Sequence, residues 1–290
     1  MKHAYLIMAH KNKEQLKVLL SLLDDENNEF FLHIDAKSDM DFSGLTEVCK
    51  KSTLHCYKQI KIYWGDLSQV ACQLFLLREA VKGNFDYYHL ISGADLPLMK
   101  AGDIDAFFEK NKGKQFINFD VFGESEKENC KYVHIMQPLL ARVRNKRSKL
   151  CLYLYKADEV YVRYQKKKGR RTGLSRGANW SDITHDLALD YLAHEKELLK
   201  KVKFAFSADE SILQTYYMQY GKKWEVYGTG REYEESIMRK IDWNRSDGLS
   251  PYTWHLEDYD ELMSCGMLFA RKFDWDTDKD IILKIQETLS

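Results

Sequence analysis

The sequence predicts an α/β fold: a Rossmann-like, mostly parallel sheet with flanking helices, in a single domain. Two observations carry this. Short apolar runs alternate with segments of helical period through the first hundred residues, in the order β-α-β-α-β. The strongest strand, Tyr87 to Ile91, runs into Ser92-Gly93-Ala94-Asp95 and is stopped by Pro97. Small residues and one carboxylate thus follow the carboxyl end of an apolar strand, where open α/β sheets bind ligands. Gly93 is expected to use backbone angles closed to other residues. Asp95 reads equally well as a ligand contact or as a turn residue.

Each element has its own signal. AYLIMAH (4–10) is an apolar strand. From Lys13 to Asp25, Leu16, Leu19, Leu20 and Leu23 share one helical face. Glu29 to Ser38 reads as strand then loop, Thr53 to Ile60 as a strand, and Tyr63 to Ser68 as a turn around Gly65. Val70, Leu74, Leu77 and Val81 give the next helix its register, and Asp103 to Asn111 forms a short one. Ala178 to Val202 reads as a loop capped at Ser181 or Asp182 and then a long helix. Phe204 to Met218 opens into a helix at Ser207 or Asp209. No repeat or linker divides the 290 residues. Residues 1–120 and 121–290 are read as two halves of this single domain, the second carrying the basic insertion 142–176.

Bulk properties exclude several classes. With 44 basic and 44 acidic residues the net charge is +0, so charge demands no polyanionic partner. No run has the length of a membrane span. The apolar start, ending at His10, is too short for a signal-peptide core and is better read as a first strand. The six cysteines lack CxxC and zinc spacings, so free thiols in a reducing cytoplasm are expected.

Residues 142–176 differ from the rest. They hold 13 Lys and Arg, among them Arg144 and Lys146, against Asp158 and Glu159, with four interleaved tyrosines. Three readings stay open: a solvated insertion, a surface for anionic lipid head groups or a diphosphate-lipid, and a nucleic-acid face with no accompanying motif.

The chemical signals are sparse. GxGxxG, the P-loop, HExxH and GxSxG are all absent. His89, alone on a strand, reads as a satisfied core residue. Four Asp-x-Asp pairs (Asp39/Asp41, Asp103/Asp105, Asp258/Asp260, Asp274/Asp276) end no apolar strand and are discounted as metal sites. Asp209-Glu210 is either a helix-dipole complement or a general base aimed into a pocket. Arg271-Lys272, between Leu268-Phe269-Ala270 and Phe273, is either a surface pair or a cationic stabiliser of a leaving diphosphate.

Taken in order, the segments AYLIMAH (4–10), FFLHIDAKS (30–38), YWGDLSQV (63–70), DYYHLISGADLPL (86–98), GANWSDIT (177–184), SADESILQT (207–215), IDWN with SPYT (241–244, 250–253) and LFARKFD (268–274) resemble the core-2/I-branching enzyme family of glycosyltransferases, with peptide xylosyltransferase relatives. The resemblance spans nearly the whole chain. It implies a glycosyltransferase-A type fold and an inverting, metal-independent transfer, best guessed as N-acetylglucosamine, from a UDP-sugar to a glycan or glycolipid acceptor. No cofactor or metal is then needed.

The resemblance makes Glu210 the base, and places His10, Asp35, Arg271 and Lys272 at the donor and its diphosphate. It puts Trp64, Ser92, Gly93, Asp95, Trp180 and Asp209 in the pocket, with Trp243 on the acceptor side. The family's second diphosphate arginine has no clear match; Arg239, Arg245 and Arg271 are its candidates. The family's anchor and disulfides are not matched. A bacterial-type cytoplasmic enzyme of surface polysaccharide synthesis is therefore expected, touching the inner membrane face through 142–176 and binding no nucleic acid. The competing reading is a catalytically silent carbohydrate- or membrane-binding protein on the same scaffold, or a xylosyltransferase.

Overall fold

The computed structural model describes residues 1–119, 130–143, 147–246 and 250–290. Arg144 and Lys146 of the basic stretch lie outside the described residues. Strands β1 (His3–Ala9), β2 (Asn28–Ile34), β3 (Thr53–Tyr57), β4 (Tyr87–Ser92) and β6 (Asp182–Thr184) form one sheet in the order β3-β2-β1-β4-β6. All pairings are parallel except β4 with β6. The expected α/β class, with its mostly parallel sheet, is therefore present.

β1 shows why the sheet needs two helical layers. Its residues are all buried, and alternate ones face opposite sides. Tyr5, Ile7 and Ala9 join a core with Leu16, Leu19, Leu20 and Leu23 of the α1 region (α1, Lys13–Leu22) and with Ile281, Ile282 and Ile285 of the last helix, Lys279–Leu289. Ala4, Leu6 and Met8 pack on the other side against Val70, Leu74 and Leu77 of α2 (Leu67–Ala80).

The structure corrects several local expectations. Pro97 does not simply stop β4. It closes a short strand, β5 (Asp95–Pro97), in a second sheet ordered β5-β8-β7, with β8 (Phe269–Arg271) and β7 (Arg239–Ile241). β5 is an edge strand there, so the missing proline N–H is tolerated. Gly93 has no left-handed backbone; it is needed because a Cβ would lie 3.0 Å from that of Ala9. The long helix after Ala178 is two helices, His185–Ala193 and Glu195–Val202, with His194 between them donating to the Asp190 carbonyl at 2.8 Å.

Neither Ser181 nor Asp182 caps that helix, whose N-cap is Thr184. Asp182 sits in β6, fully buried, and takes Arg239 on both oxygens (2.6 and 2.9 Å) and His89 Nδ1 at 2.9 Å. His89 is thus the satisfied core histidine expected, and its Nε2 lies 2.8 Å from His3 Nδ1. Burial, then the neighbouring His89, pushes the His3 pKa down from 6.5 to about 4, and burial lowers that of His89.

The folded protein therefore keeps these imidazoles neutral, while the unfolded chain takes up protons below about pH 6.5. Stability should fall as pH drops from about 6.5 toward 4, by about 3 kcal/mol for His3. A melting temperature flat across that window in wild type, or falling equally in His3→Gln, would contradict this.

The six cysteines are free, three of them buried. Among the described residues no helix is long and apolar enough to cross a membrane.

Candidate active site

A cleft of about 590 Å³ opens at the carboxyl ends of β1, β2 and β4. That volume suits a ligand of nucleotide-sugar size. Residues just past three parallel strands form its floor: His10 to Asn12, Asp35 with Lys37, and Ser92 to Ala94. The opposite wall comes from later in the chain, through Trp180, Asp209, Glu210, Trp243, Arg271 and Lys272. Trp64, 68% exposed, stands at the rim.

Asp95 is the exception among the expected pocket residues, because it does not line the cleft. It is buried, accepts the Ser92 N–H (2.8 Å) and hydroxyl (3.0 Å), and lies 3.3 Å from Arg271 Nη1. Its carboxylate shapes the β4 turn and holds Arg271 from behind. Arg271 also stacks at 4.0 Å over Trp180, leaving one aromatic face and one carboxylate to set its direction. Lys272 Nζ donates to the Ser250 hydroxyl at 2.9 Å.

Of the three candidate diphosphate arginines, Arg239 is consumed by Asp182 in the core. Arg245 binds Asp242 (2.5 Å) and Asp258 (2.7 Å) and stacks over Tyr252. Arg271 alone of the three lines the cleft.

Asp35 accepts the backbone N–H of Lys37 (2.9 Å) and of Ile62 (3.3 Å), which ties the β2 turn to the Trp64 loop. Lys37 Nζ reaches back to Asp35 at 3.4 Å and sits 4.4 Å over the Tyr63 ring. Burial, then Lys11, lowers the His10 pKa, so its imidazole is a neutral partner in the cleft floor.

Glu210 ends a 3₁₀ turn, Ala208–Glu210, that enters the helix Ile212–Gln219. Arg176 donates to Glu210 Oε2 through Nε (3.0 Å) and Nη2. The backbone positions that pair: the Gly177 N–H donates to the Glu210 carbonyl at 2.9 Å. A Cβ on Gly177 would fall 1.8 Å from the Asn118 carbonyl, so the chain passes there only as glycine. Sequence reasoning missed Arg176 as a site residue, counting it among the 13 basic residues; its place next to GANWSDIT was the signal. Lys37 and Gln69 were missed too, although both lie inside matched segments.

Asp209 accepts Gln69 Nε2 at 2.8 Å. Burial, then the adjacent Glu210, pushes its carboxyl up to about 7. A raised folded pKa means that the folded state holds this proton more tightly, so the group costs stability increasingly as pH rises from about 4 to about 7. Asp209→Asn keeps an acceptor for Gln69 and should raise the melting temperature more at pH 8 than at pH 5. An equal change at both pH values would contradict the assignment.

Among the described residues no group of three or more His, Cys, Asp or Glu is placed to hold a metal ion.

The Core-2/I-Branching enzyme family model matches residues 3–263. The chain belongs to this family of glycosyltransferases, and the expected class is met at that level. Xylosyltransferase sqv-6 of Caenorhabditis elegans is 21% identical over 301 residues, covering 94% of this chain and 34% of that protein. A beta-1,3-galactosyl-O-glycosyl-glycoprotein beta-1,6-N-acetylglucosaminyltransferase of Bovine herpesvirus 4 is 22% identical over 134 residues, covering 44% of this chain and 30% of that protein. The chain spans about a third of the length of these curated relatives. Among solved structures, S. aureus TarS 1–349 in complex with UDP-GlcNAc overlaps 43% of this chain and 36% of that one, at 16% identity and TM-score 0.30. So loose an overlap says nothing about ligand or function.

Proposed function

We propose that the protein transfers a sugar, best assigned as N-acetylglucosamine, from a UDP-sugar to a hydroxyl of a glycan or glycolipid acceptor, inverting the anomeric centre without a metal ion. Surface polysaccharide synthesis is the fitting role. The observation that carries this reading is that Glu210 and the Arg271–Lys272 pair face one cleft from different parts of the chain.

Glu210 takes the proton of the acceptor hydroxyl as its oxygen attacks the anomeric carbon. The bond from that carbon to the diphosphate oxygen breaks, and UDP leaves with the electron pair. Arg271 and Lys272 stabilise the charge on the leaving oxygens. Arg176 holds the base in orientation. Asp35 and His10 line the donor side, and Trp64, Trp180 and Trp243 offer apolar faces on which a sugar ring can pack.

Lys272→Met should lower kcat by about 10²-fold, because the lost charge acts mainly on the leaving group. An unchanged kcat would remove Lys272 from the mechanism. The overall reading is tested by presenting a panel of UDP-sugars with simple glycoside acceptors and assigning the product anomer by NMR. A β-linked product from an α-linked donor is expected; retention of configuration would overturn the proposal. Turnover of UDP-xylose in place of UDP-N-acetylglucosamine would move the donor assignment to the xylosyltransferase relatives.

A further inference from the structure

We infer that the outer face of the helix Lys149–Lys167 is a docking surface for an anionic lipid bilayer. This inference is independent of the transfer reaction. The helix carries a buried line and a basic line, each built on a seven-residue spacing, with exposed apolar residues beside the basic one. Cys151, Asp158 and Gln165 are buried and seat it on the protein: Asp158 accepts His134 Nδ1 (2.6 Å) and the Met136 N–H (3.1 Å), and Gln165 brackets Val133 at 3.0 and 2.8 Å.

Lys149, Lys156 and Arg163, continued by Lys167, lie about 160–200° around the helix from that line, so they project outward. Tyr153 and Val160 lie about 40° around the helix from Lys149 and Lys156, and Tyr164 extends this strip one turn beyond Val160. Tyr153 is 67% and Val160 65% exposed. Glu159 pairs with Arg163 at 3.1 Å, so Lys149, Lys156 and Lys167 carry the net positive charge of this face. At 19 residues the helix is about 28 Å long.

A solvated helix has no use for a bare apolar stripe, and a nucleic-acid helix face has little use for an aliphatic one. A line of cations beside a line of exposed tyrosine and valine is what an interfacial helix needs: cations for lipid phosphates, and side chains that enter the headgroup boundary. Described residues on either side of the helix make fixed contacts with the rest of the protein. Arg142 reaches Asp66 at 3.2 Å and stacks over Tyr63 beside Trp64, and Arg176 holds Glu210.

The test is co-sedimentation of the whole protein with vesicles of phosphatidylcholine, with and without phosphatidylglycerol, at low and high salt. Wild type should bind the anionic vesicles and lose binding as salt rises. Lys149→Glu/Lys156→Glu/Lys167→Glu should reduce partition at least about tenfold, as should Tyr153→Ser/Val160→Ser, with melting temperature and UDP affinity unchanged in both. Equal binding to neutral vesicles, unaltered partition of either folded variant, or binding of RNA in place of vesicles would overturn the inference. Because the readout needs no turnover, failure here leaves the transfer reaction untouched.

Discussion

Glu210→Gln should abolish glycosyl transfer while leaving UDP binding intact. The substitution keeps the shape and a hydrogen-bond acceptor for Arg176 but removes the group that takes the acceptor proton. General-base catalysis is commonly worth about 10²–10⁴ in rate, and the loss should fall in that range in kcat. UDP affinity, measured by calorimetry, should stay within about threefold of wild type, because the proposed nucleotide contacts are made by other residues of the cleft, His10, Asp35, Arg271 and Lys272. Turnover near wild type would remove Glu210 from the mechanism. Loss of UDP binding together with turnover would mean that the substitution disturbs the cleft as a whole, and Arg176→Lys would then separate positioning from chemistry.

The second large effect is on stability. Arg239→Met should destabilise the fold by about 3–5 kcal/mol, because it strands the buried Asp182 carboxylate without its cation. Arg239 and Asp182 are both essentially inaccessible, with side-chain exposures of 1% and 0%. They join β7 of the small sheet to β6 of the large one, so the cost falls on the contact between the sheets. The double variant Arg239→Met/Asp182→Asn should recover part of that loss, since no isolated charge remains. Urea unfolding of the four-protein cycle measures both effects. A cost of Arg239→Met below about 1 kcal/mol would contradict the burial and pairing described here.

Much of this was legible in the sequence, for identifiable reasons. The first hundred residues obey simple periods, so β1, α1, β2, α2 and β4 fall where Leu16, Leu19, Leu20, Leu23, Val70, Leu74 and Leu77 place them. The matched segments also placed His10, Asp35, Trp64, Trp180, Glu210, Trp243 and Lys272, and the structure brings all of them to one cleft. What was illegible depends on partners distant in the chain.

Asp182 looked like a helix cap because its cation, Arg239, lies 57 residues further on. Asp95 was expected in the pocket because it lies in the right segment, yet its carboxylate turns inward to Ser92 and Arg271. Pro97 read as a stop because no local signal announces the edge of a second sheet. Arg176 was hidden among other cations, and only the fold shows that it reaches Glu210.

The central claim is that Arg271 and Lys272 supply the positive charge that a leaving diphosphate needs, with Glu210 as the base. The measurement that tests it most directly is UDP release from the preferred UDP-sugar and an acceptor, in excess EDTA and again with added manganese. Full turnover in EDTA, unchanged by manganese and lost in Glu210→Gln, is the predicted result. Turnover that appears only with manganese would contradict the claim and return attention to the carboxylates of the cleft.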